Sequence, residues 1–170
     1  MSLKIRHATE EDIPVLTKIF NHHVESGHST LRPSPETIEQ RLEAYRKTSK
    51  TGRYQMLVAE FDNTLVGSAA SFCYREGLVF EKTVEFGIYL DTDTFGKGIG
   101  TALYSSLIDR LSTEDVHLAV AGIALPNPGS IALHKKVGFK EVGIFEEYAF
   151  YRGQYVSSIW MQRKIGQTPT

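Results

Sequence analysis

Gly96, Gly98 and Gly100 alternate between a strand-like run and a helix-like run, and that junction limits what this chain can become. Thr83 to Leu90 is rich in β-branched and aromatic residues and reads as a strand. Asp91 to Lys97 is polar and carries no apolar period. Ile99, Leu103, Leu107 and Leu111 then recur at every fourth position, which puts them on one face of a helix. A glycine-rich turn that feeds a helix start presents backbone N–H groups with no internal partner, at the positive end of the helix dipole. Without Cβ atoms in the way, a phosphate can approach those amides, and Lys97 adds a full positive charge there. Two readings of the glycines stay open: a diphosphate cradle, or a tight turn that only needs positive φ. The dinucleotide fingerprint is excluded, because Thr101 stands where its last glycine belongs. The nucleotide P-loop is excluded because no GK-[ST] follows a four-residue gap.

The 170 residues, 41% hydrophobic and 23% charged, make an ordinary globular core. A formal net charge of −1 argues against nucleic acid or an anionic membrane as partner. No apolar run reaches membrane-spanning length, and the opening MSLKIRHAT lacks a signal-peptide core. One cysteine, Cys73, cannot form an internal disulfide and suits a reducing cytoplasm; it reads as a buried thiol in mid-strand.

Taken in order, Leu3 to Arg6 is a short strand. Thr9 to Asp12 and Pro14 open a helix whose apolar face is Ile13, Leu16, Ile19, Phe20 and His23. Ser34-Pro35-Glu36 begins a second helix carrying Ile38, Leu42 and Tyr45. Strands at Gln55 to Phe61 and Leu65 to Tyr74 meet at the hairpin signal Asp62-Asn63. After the glycine junction come a strand at Val116 to Gly122, a helix from Asn127 to Lys136, and strands at Phe139 to Tyr151 and Tyr155 to Arg163. The expected fold is α/β: a mixed, mostly antiparallel sheet of about seven strands with four helices on both sides. We expect one domain over 1–165 and a frayed tail at 166–170.

Two segments resemble the GNAT-type N-acetyltransferases. YLDTDTFGKGIGTAL looks like the pyrophosphate-binding motif of that superfamily, although Phe95 stands where its Arg or Gln is expected. Asn127-Pro-Gly-Ser130-Ile-Ala-Leu-His134-Lys-Lys-Val-Gly138-Phe139 is similar to its N-x-x-S-x-x-x-[HY]-x-x-x-G-F segment. The likeness runs from IRHATEEDIP to SSIWMQR and is nearest to the phosphinothricin acetyltransferase group, through TVEFGIYLD, LHKKVGF and the closing WMQR.

The resemblance implies splayed central strands that hold acetyl-CoA as co-substrate, with no metal. It implies cofactor contacts at Phe95, Gly96, Lys97, Gly98, Ile99, Gly100 and Thr101, at Asn127 and Ser130, and through the backbones of Ile88 and Leu90. An ammonium must lose a proton before it attacks a thioester, and Glu85 takes the place of the family's general base. His134 stands where many relatives carry a tyrosine that protonates the leaving thiolate; it reads as that acid or as a packed imidazole. Asn127 also reads as a helix N-cap. On the acceptor side the resemblance points to Thr30, Arg32, Arg75 and Tyr155, yet this is where the chain departs most. Relatives carry Thr-Phe-Glu where Thr30-Leu31-Arg32 stands, a second arginine where Gly77 stands, and Asp where Ser157 stands.

The implied function is acetyl transfer to the amine of a small molecule, an amino acid or analogue of the phosphinothricin or methionine sulfoximine kind, by direct attack in a ternary complex. A protein or peptide N-acetyltransferase and a non-catalytic acyl-CoA-binding module are the alternatives. By the same resemblance the chain forms a homodimer, and Tyr148, Phe150 and Tyr151 are either part of its interface or core. His22, His23 and His28 lack metal-ligand spacing; His23 is expected to face the core, and His22 and His28 to border the substrate mouth.

Overall fold

The structure, a computed structural model, describes residues 2–27 and 30–166. Seven strands, β1 (Leu3–His7), β2 (Met56–Phe61), β3 (Thr64–Cys73), β4 (Thr83–Leu90), β5 (Leu118–Ala124), β6 (Lys140–Tyr151) and β7 (Gln154–Lys164), form one sheet in the order β1-β2-β3-β4-β5-β7-β6. Every neighbouring pair is antiparallel except β4 and β5, which are parallel. The helices are α1 (Ile13–Ser26), α2 (Ile38–Tyr45), α3 (Ile99–Leu111) and α4 (Pro128–Lys136). The expected element order and mixed sheet are what the chain builds.

Strand alternation sends side chains to two separate cores. Leu57, Ala59, Ala69, Val84 and Phe86 pack under α3 with Ile99, Leu103, Leu107 and Leu111, the stripe read from the sequence. Met56, Val58 and Ala70 face the other way and pack with Ile13 and Leu16 of α1. The start of α1 is pinned to β1 by a two-pronged pair: Arg6 donates to Asp12 Oδ1 and Oδ2, both at 2.7 Å. Asp12 also accepts from Thr9 N–H, closing the turn that leads into the helix. Asp62 and Asn63 both adopt positive φ, 48° and 64°, as the two-residue hairpin requires.

Three local expectations change. The second helix starts at Ile38 rather than at Ser34: Thr37 is its N-cap and accepts from Gln40 N–H, a capping box that leaves Ser34 to Glu36 as a lead-in. The fifth strand is displaced by two residues, because Leu118 to Ala124 pair with Ser158 to Lys164. Cys73 is the last residue of β3 and is exposed, not buried in mid-strand. No helix among the described residues is long and apolar enough to cross a membrane.

Gly67 marks a point where β3 and β4 approach too closely for a side chain. A Cβ there would lie 2.5 Å from the Tyr89 carbonyl oxygen and 2.9 Å from Leu90 Cα, both of them backbone atoms that cannot swing aside. Gly67→Ala is therefore expected to cost about 2 kcal/mol or more of folding stability, read from the shift of the urea midpoint. An unchanged midpoint would mean that the β3–β4 approach is looser than it looks.

Candidate active site

The site is built around a gap between the two central strands. β4 and β5 pair only at Thr83↔Leu118, Val84↔Ala119 and Glu85↔Val120. β4 nevertheless stays paired with β3 as far as Gly67↔Leu90. Beyond that pair, Asp91 N–H donates to the Val66 carbonyl at 2.8 Å. Backbone direction alternates along an antiparallel strand, so Ile88 and Leu90 aim their N–H and C=O groups away from β3 and into the gap. The Leu90 carbonyl is met there by Nε2 of His23, at 2.7 Å. A carbonyl can only accept, so Nε2 donates this hydrogen bond. The remaining groups of Ile88 and Leu90 form a strand edge of the kind that accepts an extended amide-bearing ligand.

One end of the gap runs to the glycine turn. Gly96 and Gly98 hold φ of 77° and 79°, and a Cβ on either would meet nothing within 4 Å. Both glycines therefore serve backbone conformation and leave the approach to the loop open. Gly98 is the N-cap of α3 with no side-chain cap, and Ala102 N–H is the first to reach its carbonyl. The N–H groups of Ile99, Gly100 and Thr101 thus stand unpaired at the positive end of the dipole, an arrangement that fits a diphosphate. Gly100 has a different reason to be glycine: a Cβ there would lie 3.0 Å from Leu133 Cδ2 and 3.4 Å from Leu90 Cδ1. Lys97 is exposed and rests over the Phe61 ring, 5.4 Å from its centroid. Phe95 projects into solvent and stacks on His23, with ring centroids 6.3 Å apart.

A cleft of about 820 Å³ passes through the opening, from α1 and α2 on one face of the sheet to α3 and α4 on the other. Val84, Phe86, Ile88 and Leu90 turn their side chains to the α3 core, so Glu85 and Tyr89 point to the α1 face. Glu85 lines the cleft half-buried, and burial pushes its carboxyl up from the ordinary value. On the far side, Asn127 is the N-cap of α4 and accepts from Ser130 N–H at 3.1 Å. His134 lies one turn further on and is only 2% exposed. Its Nδ1 lies 2.7 Å from the Ser130 carbonyl, which can only accept, so Nδ1 carries the proton. Nε2 then accepts from the Tyr104 hydroxyl at 3.2 Å. Burial pushes the imidazole below its ordinary value against the raising effect of the Ser130 bond, and pushes the Tyr104 phenol well up. At neutral pH the two are an uncharged, hydrogen-bonded Tyr–His pair in the cleft wall.

The acceptor-side residues expected from the sequence divide in two. Arg32 lines the cleft mouth, and Thr30 is buried within hydrogen-bond reach of the Tyr89 hydroxyl. Arg75 does not line the cleft: it is exposed and lies over Tyr74 and Phe80. Tyr155 borders a separate, smaller pocket and packs edge-on to Phe150. His23 is buried as expected, His22 is exposed away from the cleft, and His28 lies outside the described residues. Tyr104, Glu36 and Arg41 also line the cleft and carry no local sequence signal: Tyr104 directly follows Leu103 of the apolar stripe, and Arg41 lies on a short polar helix.

A parted pair of parallel strands, an amide cradle at a helix start and a cleft joining two faces of the sheet define an acetyltransferase of the GNAT type. The sequence profile described as Acetyltransferase (GNAT) domain matches residues 5–160. The chain belongs to that family and is an acetyl-CoA-dependent N-acetyltransferase. It is 35% identical over 165 residues to the phosphinothricin N-acetyltransferase of Streptomyces coelicolor, covering 96% of each chain. The L-methionine sulfoximine/L-methionine sulfone acetyltransferase of Pseudomonas aeruginosa is 30% identical over 168 residues, 99% of this chain and 98% of that one. A crystal structure of a GNAT superfamily phosphinothricin acetyltransferase from Sinorhizobium meliloti in complex with acetyl-CoA has a TM-score of 0.92. It is 29% identical and covers 100% of this chain and 94% of that one.

The buried neutral imidazole has a consequence for stability. With a folded value below 6.5, His134 takes up a proton more readily in the unfolded chain. Its contribution is therefore complete above about pH 6.5 and is lost as pH falls toward the folded value. We expect the wild-type urea midpoint to fall between pH 7.5 and 5.5 and the His134→Gln midpoint to fall less. Glu85, whose raised value acts in the opposite sense, is common to both proteins and cancels. Equal losses would assign the titration elsewhere.

Proposed function

We propose that this chain acetylates the primary amine of a small molecule, an amino acid or a close analogue, by direct attack on acetyl-CoA in a ternary complex. Glu85 acts as general base. The observation that carries this reading is the Glu85 carboxylate, half-buried on the α1 face of the cleft beside the strand opening. Among the described residues no cation is paired with it, and burial alone sets its raised proton affinity. A carboxylate tuned upward in this way is better matched to removing a proton from an ammonium group near neutral pH. Two relatives named for phosphinothricin and for methionine sulfoximine or sulfone support an amino-acid analogue as the acceptor class.

Acetyl-CoA supplies an activated acetyl thioester. Phe95 to Thr101 cradle its diphosphate, chiefly through the amides of Ile99, Gly100 and Thr101. Ile88 and Leu90 pair their free backbone groups with the pantetheine arm, and Asn127 and Ser130 flank it. Glu85 takes the proton from the acceptor's ammonium, directly or through one water. The new C–N bond forms as the C–S bond breaks, and the proton that the nitrogen sheds on becoming an amide passes to the departing thiolate. Tyr104 and His134 wall that side of the cleft, with the Tyr104 hydroxyl donating to His134 Nε2. An exposed Cys73 thiol fits a reducing compartment such as the cytoplasm.

The test is CoA release from acetyl-CoA across amino acids, their analogues, polyamines and short peptides, with the exposed Cys73 thiol subtracted as background. An amino-acid acceptor should turn over, and Glu85→Gln should lower kcat about 100-fold or more while acetyl-CoA affinity holds. The acidic limb of wild-type kcat/KM should lie above pH 4.5, the ordinary carboxylate value, and be absent from Glu85→Gln. Turnover of peptides alone would replace the small-molecule reading, and acetyl-CoA binding without any turnover would replace it with a binding module.

We also infer a homodimer formed through the β6–β7 hairpin. β6 is an edge strand whose Val142, Ile144, Phe145, Tyr148 and Phe150 are exposed, at 50–69%. Such an edge invites pairing with a second chain. Tyr151, by contrast, is 8% exposed and belongs to the core. Sedimentation should give twice the 19.1 kDa chain mass, and Phe150→Asp should shift the protein toward monomer; a monomeric wild type would reject the inference.

A further inference from the structure

The cleft contains a guanidinium that the reaction as derived does not use. Arg41 projects from α2 into the wall of the same cleft that Glu85 lines. Its side chain is only 14% exposed, yet its one charged partner among the described residues is Glu36, at 3.5 Å from a single nitrogen. A guanidinium carries five N–H donors, and no other side-chain hydrogen bond of Arg41 occurs among the described residues, so donors remain available in the cleft wall. The guanidinium carbon lies over the Phe20 ring, 4.2 Å from its centroid, and Phe20 meets the Tyr89 ring edge-on at 4.9 Å. Arg41 is thus seated on the face of the sheet to which Glu85 and Tyr89 point. The glycine cradle and the α4 N-cap lie on the other.

The surroundings hold that cation in place. Asn21 of α1 clamps Glu36 at both backbone groups: Asn21 Nδ2 donates to the Glu36 carbonyl at 2.8 Å, and Glu36 N–H donates to Asn21 Oδ1 at 2.9 Å. The clamped carboxylate is then shared between Arg32, at 3.3 Å, and Arg41. One anion between two cations leaves a net charge of +1 on this trio. Burial of an incompletely paired guanidinium costs free energy unless something else supplies charge, and burial draws the Arg41 group down from its ordinary value. A planar, orientated, partly desolvated guanidinium suits a carboxylate, to which it can donate two parallel hydrogen bonds. Arg75, the other cation expected on the acceptor side, is exposed and stacked outside the cleft.

We propose that Arg41, positioned by the Asn21-clamped Glu36, is the specificity determinant that binds the carboxylate of the acceptor amine. This rests on the functional reading above and refines it: the preferred acceptor is an amine that also bears a carboxylate, and the cation that selects it stands on α2.

The test pairs L-methionine sulfone with its carboxamide, which differ only in that carboxylate. Both are measured as acceptors in steady state and as ligands, by calorimetry, of the protein loaded with CoA. Wild type should favour the acid by roughly 10- to 100-fold. In Arg41→Gln the preference should collapse, through KM rather than kcat, and Arg41→Lys should restore part of it. Retained acetyl-CoA affinity certifies that each variant is folded. A wild type indifferent to the carboxylate, or unable to bind the acid, overturns the proposal, and so does an Arg41→Gln protein that keeps the preference. The functional reading fails separately, when no amine in the wider panel is acetylated.

Discussion

Each of the two central strands is held along its outer edge, β4 by β3 to Leu90 and β5 by β7 to Ala124, but the two hold each other only from Thr83 to Glu85. Twist accumulates across a sheet, and with no pairing beyond Glu85 the strands are free to diverge there. The backbone groups exposed by that divergence must find partners. His23 meets one of them, the Leu90 carbonyl, from α1. The rest form an open strand edge, and under the function proposed above the cofactor arm would pair with it as a missing piece of the sheet.

That placement also puts the titratable groups of the cleft on opposite faces of the sheet. Glu85 projects to the α1 face, where the carboxylate is half-buried with no cation beside it. Tyr104 and His134 belong to the opposite face, closed in by Phe86 and Phe139. Desolvation acts on both, with opposite consequences: it makes the carboxyl a stronger base and holds the imidazole neutral. A neutral imidazole whose proton is committed to the Ser130 carbonyl has no proton on Nε2 to give. It accepts from the Tyr104 hydroxyl instead, so the two buried side chains of the cleft wall satisfy each other.

Much of this was legible because the relevant signals are local. The glycine turn, the α3 stripe, the Asp62-Asn63 hairpin and the Asn127 cap each follow from residues within a few positions of one another. Strand and helix signals alone put Glu85 on β4 and His134 on α4, and the structure brings both to one cleft. What the sequence hid depends on contacts between distant segments. Arg41 is a polar residue of an eight-residue helix that buries none of its residues, so nothing local distinguishes it from a solvated charge. Its meaning comes from Phe20, twenty-one positions away, and from a carboxylate clamped by α1. Arg75 is the opposite case: a cation expected on the acceptor side lies over the rings of Tyr74 and Phe80, outside the cleft lining.

The departure at Phe95 has a physical account of the same long-range kind. An arginine or glutamine there would reach for a phosphate; the phenylalanine instead stacks on His23, tying the start of the glycine turn to α1. The same histidine ring packs against Tyr89 and holds the Leu90 carbonyl. One imidazole therefore couples three things: the entrance of the diphosphate loop, the free end of β4 and the helix that flanks the acceptor cleft. If the α3 amides hold the diphosphate as proposed, a loop positioned in advance by His23 would lower the entropy cost of binding rather than add a contact, and so offset the polar side chain that Phe95 replaces.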